Sequence, residues 1–381
     1  MIGRSSGEAR AEEVVRELFG EAGVGVAGEK PGDILVKNKG FYGRLLRDAS
    51  IGLGESYMER WWECEELDLF IEKLLRIDIK KRVTGSLRLK LLTLQAVLTN
   101  MQSRARAKEV AVVHYDLGND LYEVMLDKRM IYTCGYWKNA KTLEEAQDAK
   151  LELVCRKAGL KPGMRVLDLG CGWGGFAVYA AEKHGCEVLG VTIATEQQKW
   201  GQAKASSLGL PVEIRLQDYR SVHGKYDAVV SIGMMEHVGW RNHRHLMEVV
   251  HRSLKDDGIA VLHTIGSNES QKHGIPFFEK YLFPNAASPS IAQLGKAMEN
   301  LLIVEDWHNI GPDYRPTLLA WWKNFEAGYP TLDHRKYDER FYRMWRFYLL
   351  SAAGAVAARE SQLWHLVLTK VGRAQPECRF S

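Results

Sequence analysis

The sequence predicts an α/β protein: a doubly wound, mostly parallel sheet with a smaller, mainly helical N-terminal domain ahead of it. Three observations carry this. From Pro162 onward, short apolar strand candidates ("RVLDLG", "EVLGVT", "VEIRLQD", "YDAVVSIG", "IAVLHTIG") alternate with helical stretches, which is the rhythm of repeated βαβ units. The first of these strands runs straight into the glycine-rich "DLGCGWGG" at 168–175. Before residue 100, by contrast, apolar residues recur mainly at helical spacing.

Taken in order, "AEEVVRELFGEAG" reads as a helix that stops at Gly20 or Gly23, and "LDLFIEKLLRI" repeats the pattern. Between them lie a short strand candidate, "GDILVKN", and then "SIGLGESYMERWWE". The polar, basic "NMQSRARAKEV" reads as a connector with solvated charges. The expected division is therefore an N-terminal domain over 1–99, a linker over 100–110 and a catalytic domain over 111–381. A helix is expected to begin near Phe176, and "SQLWHLVLTK" reads as a returning final strand. There is no internal repeat or low-complexity tract.

Composition sets outer limits. A chain of 381 residues, 46% hydrophobic and 26% charged, can bury a substantial core. Its net charge of +4 leans only mildly towards an anionic partner. No strongly basic groove or base-handling motif points to nucleic acid. The six cysteines include no C-x-x-C pair, so neither a metal site nor a disulfide framework is expected, and reduced cytosolic thiols fit. The polar start "MIGRSSGEARAEE" lacks the apolar core of a signal peptide, and "LKLLTLQAVL" is too short to cross a bilayer. Membrane contact, if any, is expected to be peripheral.

The glycine loop carries the first chemical signal. Gly170, Gly172 and Gly174 let the main chain turn sharply and meet a ligand without side chains between. At the carboxyl end of the first strand, the loop lies where open α/β sheets bind ligands. Its spacing is D-x-G-x-G-x-G from Asp168, not the dinucleotide G-x-G-x-x-G. It resembles the S-adenosylmethionine loop of the class I methyltransferases, which implies a seven-stranded sheet. Most of those enzymes end the second strand with an acid that grips the ribose. Here that stretch is "GVTIATEQQ", which leaves the task to Thr192 and Gln197, with Gln217 and Asp218 expected near the adenine.

Further stretches narrow the resemblance: "GLGESYMERWWECEELD", "VHYDLGNDLY", "YTCGYW", "GMMEHVG", "LHTIGS", "FPNAASPS" and "EDWHNIGPDY". Together, and in this order, they resemble the cyclopropane fatty acid synthases, including the N-terminal module of the bacterial phospholipid-acting type. The resemblance implies that an acyl double bond attacks the sulfonium methyl of S-adenosylmethionine, after which a proton must leave before the ring closes. It implies a bound bicarbonate as the base, held at positions matching Cys134, Glu236, His263, the backbone of Ile265, and Tyr314. Tyr132 and Thr133 are implied as cofactor contacts. Glu236 beside an anion makes sense if it accepts the bicarbonate hydroxyl while the others donate. Singly, each residue has a plainer reading: a small buried thiol, a satisfied core histidine, a packed tyrosine. His237 either orients Glu236 or caps the next helix. A cysteine found in some relatives before "AAG" is Ala352 here.

The reaction needs a lipid. The segments "IPFFEKYLFP" and "IAQLGKAM" are candidate walls of an acyl pocket, with ordinary packing as the alternative. In "RKYDERFYRMWRFY", Arg340, Arg343 and Arg346 share a helical stripe among aromatics, which reads either as an anionic-lipid interface or as a solvated face. The resemblance further implies a homodimer associated peripherally with the cytoplasmic face of the membrane. Two rivals stay open: a methyltransferase of the same scaffold that makes methyl-branched lipid or methylates an amine, and a non-catalytic lipid-binding protein.

Overall fold

The computed structural model describes residues 6–77 and 117–380; the expected linker at 100–110 lies outside these. In chain order the elements are α1 (Ser6–Glu21), β1 (Leu35–Val36), α2 (Gly40–Met58), β2 (Trp62–Glu63) and α3 (Leu67–Arg76). Next come α4 (Asn119–Met125), α5 (Leu143–Lys157), β3 (Arg165–Leu169), α6 (Gly175–His184), β4 (Glu187–Thr192), α7 (Thr195–Ser207), β5 (Val212–Leu216) and β6 (Tyr226–Ile232). The chain continues through α8 (His243–Ser253), β7 (Leu254–Ser267), α9 (Pro276–Tyr281), α10 (Ile291–Met298) and β8 (Ile303–Asn309). It ends with α11 (Tyr314–Gly328), α12 (Glu339–Ala357) and β9 (Ser361–Thr369). No described helix is long and apolar enough to cross a membrane.

These elements form two compact units. One joins the described N-terminal residues to Ile275–Pro284 and Trp321–Glu360; the other contains Leu117–Gly274, Asn285–Ala320 and the segment from Ser361. Grouping in space thus differs from a division in chain order, because two later helices supply apolar faces that the N-terminal ones bury. Trp62 packs within 5.4 Å of Phe70 and 6.4 Å of Phe347, and Phe347 lies 4.8 Å from Phe277. Gly54 permits the approach of α9, since a Cβ there would sit 2.2 Å from the Phe277 ring.

The arginine stripe turns inward within this unit. Arg343 is buried; its Nε donates to the Tyr57 carbonyl at 2.7 Å, its Nη2 reaches Glu63 at 3.0 Å, and its guanidinium lies 4.0 Å over the Tyr57 ring. Arg346 donates to the carbonyls of Cys64 and Glu65 and to the Tyr57 hydroxyl. Only Arg340 is exposed. Under either reading of the stripe, as lipid interface or solvated face, one exposed residue is left, because Arg343 and Arg346 turn to the backbone carbonyls of Tyr57, Cys64 and Glu65. The two candidate acyl-pocket segments also fall in different units.

The second unit is built on a seven-stranded sheet in the order β5-β4-β3-β6-β7-β9-β8. The first five strands run parallel, while β9 is antiparallel to both β7 and β8. β3 has β4 on one side and β6 on the other, so chain order reverses there, and the carboxyl end of β3 opens into the crevice where such sheets bind ligands. The final strand and the helix after the glycine loop lie where the sequence predicts them.

Candidate active site

The glycine loop leaves β3 with Gly170, Gly172 and Gly174 all at positive φ, +73°, +55° and +77°. A Cβ on Gly174 would meet Ile214 Cδ1 at 2.4 Å, and one on Gly170 would meet Met234 Sδ at 2.8 Å, whereas Gly172 faces open space. The outer glycines are thus required by packing and the middle one leaves room for a ligand. Asp168 is 1% exposed, and its Oδ2 has no partner among the described residues. Burial pushes its carboxyl up to about 7, with Lys150 opposing. A buried carboxyl with one unpartnered oxygen beside an open glycine turn fits a ligand carrying positive charge, as S-adenosylmethionine does.

Further round the crevice, Thr192 Oγ1 donates to Gln197 Oε1 at 3.0 Å, and the Gln217 amide donates to the Thr192 carbonyl at 2.9 Å. The three residues are thus joined, Gln217 through its main chain, while its side-chain amide donates to the Ser221 carbonyl at 2.9 Å. The Asp218 carboxylate instead caps the following turn and holds Arg220, and that contact draws its pKa down.

The other cluster forms around the ends of β6, β7 and β9. Cys134, Ile310 and Leu363 form a small apolar group against which Ile265, Tyr314 and Tyr136 pack. Three of the predicted residues, Cys134, Ile265 and Tyr314, are therefore gathered in one place. Burial, then Asp313, raises the Cys134 thiol well above its ordinary value, so it is neutral and no nucleophile. Glu236 is buried, and its Oε2 accepts from Thr264 Oγ1 at 2.9 Å. Thr264 stands between His263 and Ile265, which ties the carboxylate to the β7 end. The Gly233 amide donates to the His263 carbonyl at 2.9 Å. A Cβ at Gly233 would lie 2.5 Å from Thr133 Cγ2 and 4.0 Å from Glu236 Oε1; the glycine, at φ +74°, lets these groups close up. His263 Nδ1 meets His365 Nε2 at 2.8 Å, and His263 Nε2 is buried without a partner among the described residues. Tyr132 packs edge-on against Tyr122 at 5.2 Å.

Helix α5 supplies residues that sequence reasoning missed. Lys150, 0% exposed, donates from Nζ to Thr133 Oγ1 at 2.9 Å, and Gln147 Nε2 donates to the Thr133 carbonyl at 2.8 Å. Burial draws the Lys150 ammonium down to about 8 against the pull of Asp127, Cys134 and Asp168. In sequence, "EEAQDAKLE" reads as a solvated helical face. Thr317 was missed as well: its hydroxyl accepts from the Gly135 amide and the Trp137 indole. A buried polar residue leaves no periodic signal of its own.

Residues 102–366 match the Mycolic acid cyclopropane synthetase family. The chain belongs to that family. Cyclopropane-fatty-acyl-phospholipid synthase of Escherichia coli (strain K12) is 48% identical over 94% of this chain and 93% of its own. The mycolic acid cyclopropane synthase CmaA1, solved as a complex with SAH and CTAB, aligns at TM-score 0.61 and 28% identity, covering 70% of this chain and 98% of that one. The cyclopropane synthase MmaA2 from Mycobacterium tuberculosis aligns at TM-score 0.62 and 26% identity, with the same coverage. The fold is that of the class I S-adenosylmethionine-dependent methyltransferases, and this cyclopropane synthetase family member is an enzyme of that class.

Proposed function

We propose that this protein transfers a methylene from S-adenosylmethionine to the cis double bond of unsaturated acyl chains in membrane phospholipids, with a bound bicarbonate as the base. The observation that carries the second half is the buried, unpartnered Nε2 of His263, one residue along β7 from the Thr264 that orients the Glu236 carboxylate. A buried polar atom left unpaired is costly, and an anion with hydrogen-bonding oxygens satisfies it.

When bound, S-adenosylmethionine supplies an electrophilic sulfonium methyl. Asp168 and the glycine turn hold it, and Tyr132 and Thr133 line its approach. Cys134, Ile265 and Tyr314 bring apolar surface up to the polar groups, which excludes water from a cationic carbon. Glu236 accepts the bicarbonate hydroxyl; His263 Nε2, the Tyr314 hydroxyl and the Ile265 backbone donate to its oxygens. Glu236 then orients the base without removing the proton itself. The phospholipid substrate is inferred from the E. coli relative, and a homodimer lying peripherally on the cytoplasmic face of an anionic bilayer belongs to the same reading.

Lipid mass spectrometry of cells expressing the protein tests the activity. A gain of one CH₂ with loss of the olefin signal is expected; the gain with the olefin kept identifies methyl branching instead. For the base, stripping carbon dioxide from the buffer lowers turnover, and added bicarbonate restores it. Glu236→Gln keeps cofactor binding but loses most turnover. Full activity in bicarbonate-free buffer would falsify the base assignment.

A further inference from the structure

His263 and His365 stand directly opposite each other on β7 and β9, joined by the 2.8 Å Nδ1···Nε2 contact. Both rings are sealed, at 2% and 0% exposed. Burial above all drives both well below the ordinary histidine pKa; Lys150 adds to this at both rings and Lys157 at His365. Both imidazoles are therefore neutral, and each carries one N–H.

Two neutral rings sharing one hydrogen bond have two arrangements. In the first, His365 donates from Nε2, and His263 must carry its own proton on Nε2. In the second, His263 donates from Nδ1 and turns a bare lone pair at Nε2 towards its surroundings. The second leaves an N–H on His365 Nδ1, which is buried with no acceptor among the described residues. An orphaned buried N–H is the rarer and costlier defect. The first moves that N–H to His263 Nε2, which likewise has no acceptor among the described residues, and there the oxygens of the proposed bicarbonate accept it.

We propose that His365 is a positioning residue for the reaction: by donating to His263 Nδ1 it holds the His263 proton on Nε2, as a donor for the bicarbonate. This rests on the bicarbonate reading above. Nothing is oxidised, reduced or transferred between the rings; His365 selects a tautomer and fixes a ring plane, the service that partners of ligating histidines perform in metal sites.

The test is long-range ¹H–¹⁵N NMR of the full chain, with His263 assigned by its own substitution, combined with steady-state kinetics. The wild type is expected to show His263 protonated at Nε2 and bare at Nδ1. His365→Gln, whose amide still donates, keeps that pattern and most of the turnover. His365→Leu removes the donor: the His263 signals move towards a mixture of tautomers, kcat falls on the order of tenfold, the bicarbonate concentration needed for half-maximal rate rises, and the KM for S-adenosylmethionine stays put. A wild-type His263 protonated at Nδ1 overturns the proposal, as does His365→Leu with unchanged tautomer and kcat. If His365→Leu does not fold, the wild-type and His365→Gln spectra still decide. If the tautomer behaves as expected but turnover is indifferent to bicarbonate, the positioning role stands and the assignment of the base falls.

Discussion

Lys150 Nζ lies 2.9 Å from Thr133 Oγ1 in a fully buried setting, and Gln147 from the preceding turn of the same helix holds the Thr133 carbonyl. One face of α5 thus fixes the backbone between Tyr132 and Cys134. It also places a cation whose charge is felt at Asp168 and His263.

Lys150→Met is expected to separate these effects from folding. A buried ammonium is expensive to desolvate, so an apolar residue of similar length alters stability little. Without the cation the Asp168 carboxyl holds its proton more tightly, and affinity for S-adenosylmethionine at neutral pH falls on the order of tenfold. Calorimetric titration beside a thermal melt checks this; unaltered affinity in a folded variant would remove Lys150 from the cofactor's surroundings.

The titration of Asp168 itself gives a pH dependence of known sign. Its carboxyl is pushed up to about 7, whereas an unfolded aspartate titrates at about 3.9. Between these values the folded chain holds a proton that the unfolded chain has lost. This group's contribution to stability is therefore greatest in acid and declines as pH rises through about 7. Binding of a sulfonium cofactor follows the opposite course and tightens from pH 6 to 8. Affinity measured across that range should rise in the wild type and stay flat in Asp168→Asn.

Two glycine substitutions should divide fold from ligand. Gly174→Ala drives a methyl into Ile214, and Gly174 already sits at φ +77°; both the melting temperature and cofactor binding fall. A Cβ added at Gly172 meets no protein atom within 4 Å, so the first cost of Gly172→Val to the fold is the backbone strain of about 1–2 kcal/mol. It should fold and fail to bind. Retained binding by calorimetry would take the loop out of the cofactor site.

Arg343→Ala should destabilise by about 2 kcal/mol or more, because it leaves the Tyr57 carbonyl and Glu63 without their buried donor. Arg340→Gln, at an exposed position, should leave urea denaturation unchanged. Salt-sensitive binding to anionic vesicles should weaken by about 1 kcal/mol in that variant. Equal denaturation midpoints for Arg343→Ala and the wild type would contradict the packing described.

The arginine stripe shows where sequence reasoning stops. Periodicity placed Arg340, Arg343 and Arg346 on neighbouring turns of one helix, and α12 is a helix. It could not tell which flank the N-terminal residues would cover, because that depends on contacts between residues far apart in the chain. Likewise "EEAQDAKLELV" carries helix propensity and a start signal, and the structure has the capping box of Thr142 and Glu145. Nothing local marks Gln147 and Lys150 as buried, since long polar side chains look alike in sequence whether they meet water or a threonine across the fold.

By itself the sequence determined the alternation of strands and helices after Pro162, the glycine turn after β3, and the family, because these rest on local spacing and on motifs read in order. Tertiary structure alone decided which polar groups are sealed and with whom: Glu236 with Thr264, His263 with His365, Lys150 with Thr133 and the charge of Asp168. Burial and hydrogen-bond partners arise from strand register and helix packing, which bring distant residues within hydrogen-bonding reach. The charge state and tautomer of each group follow from that enclosure and not from its neighbours in the chain.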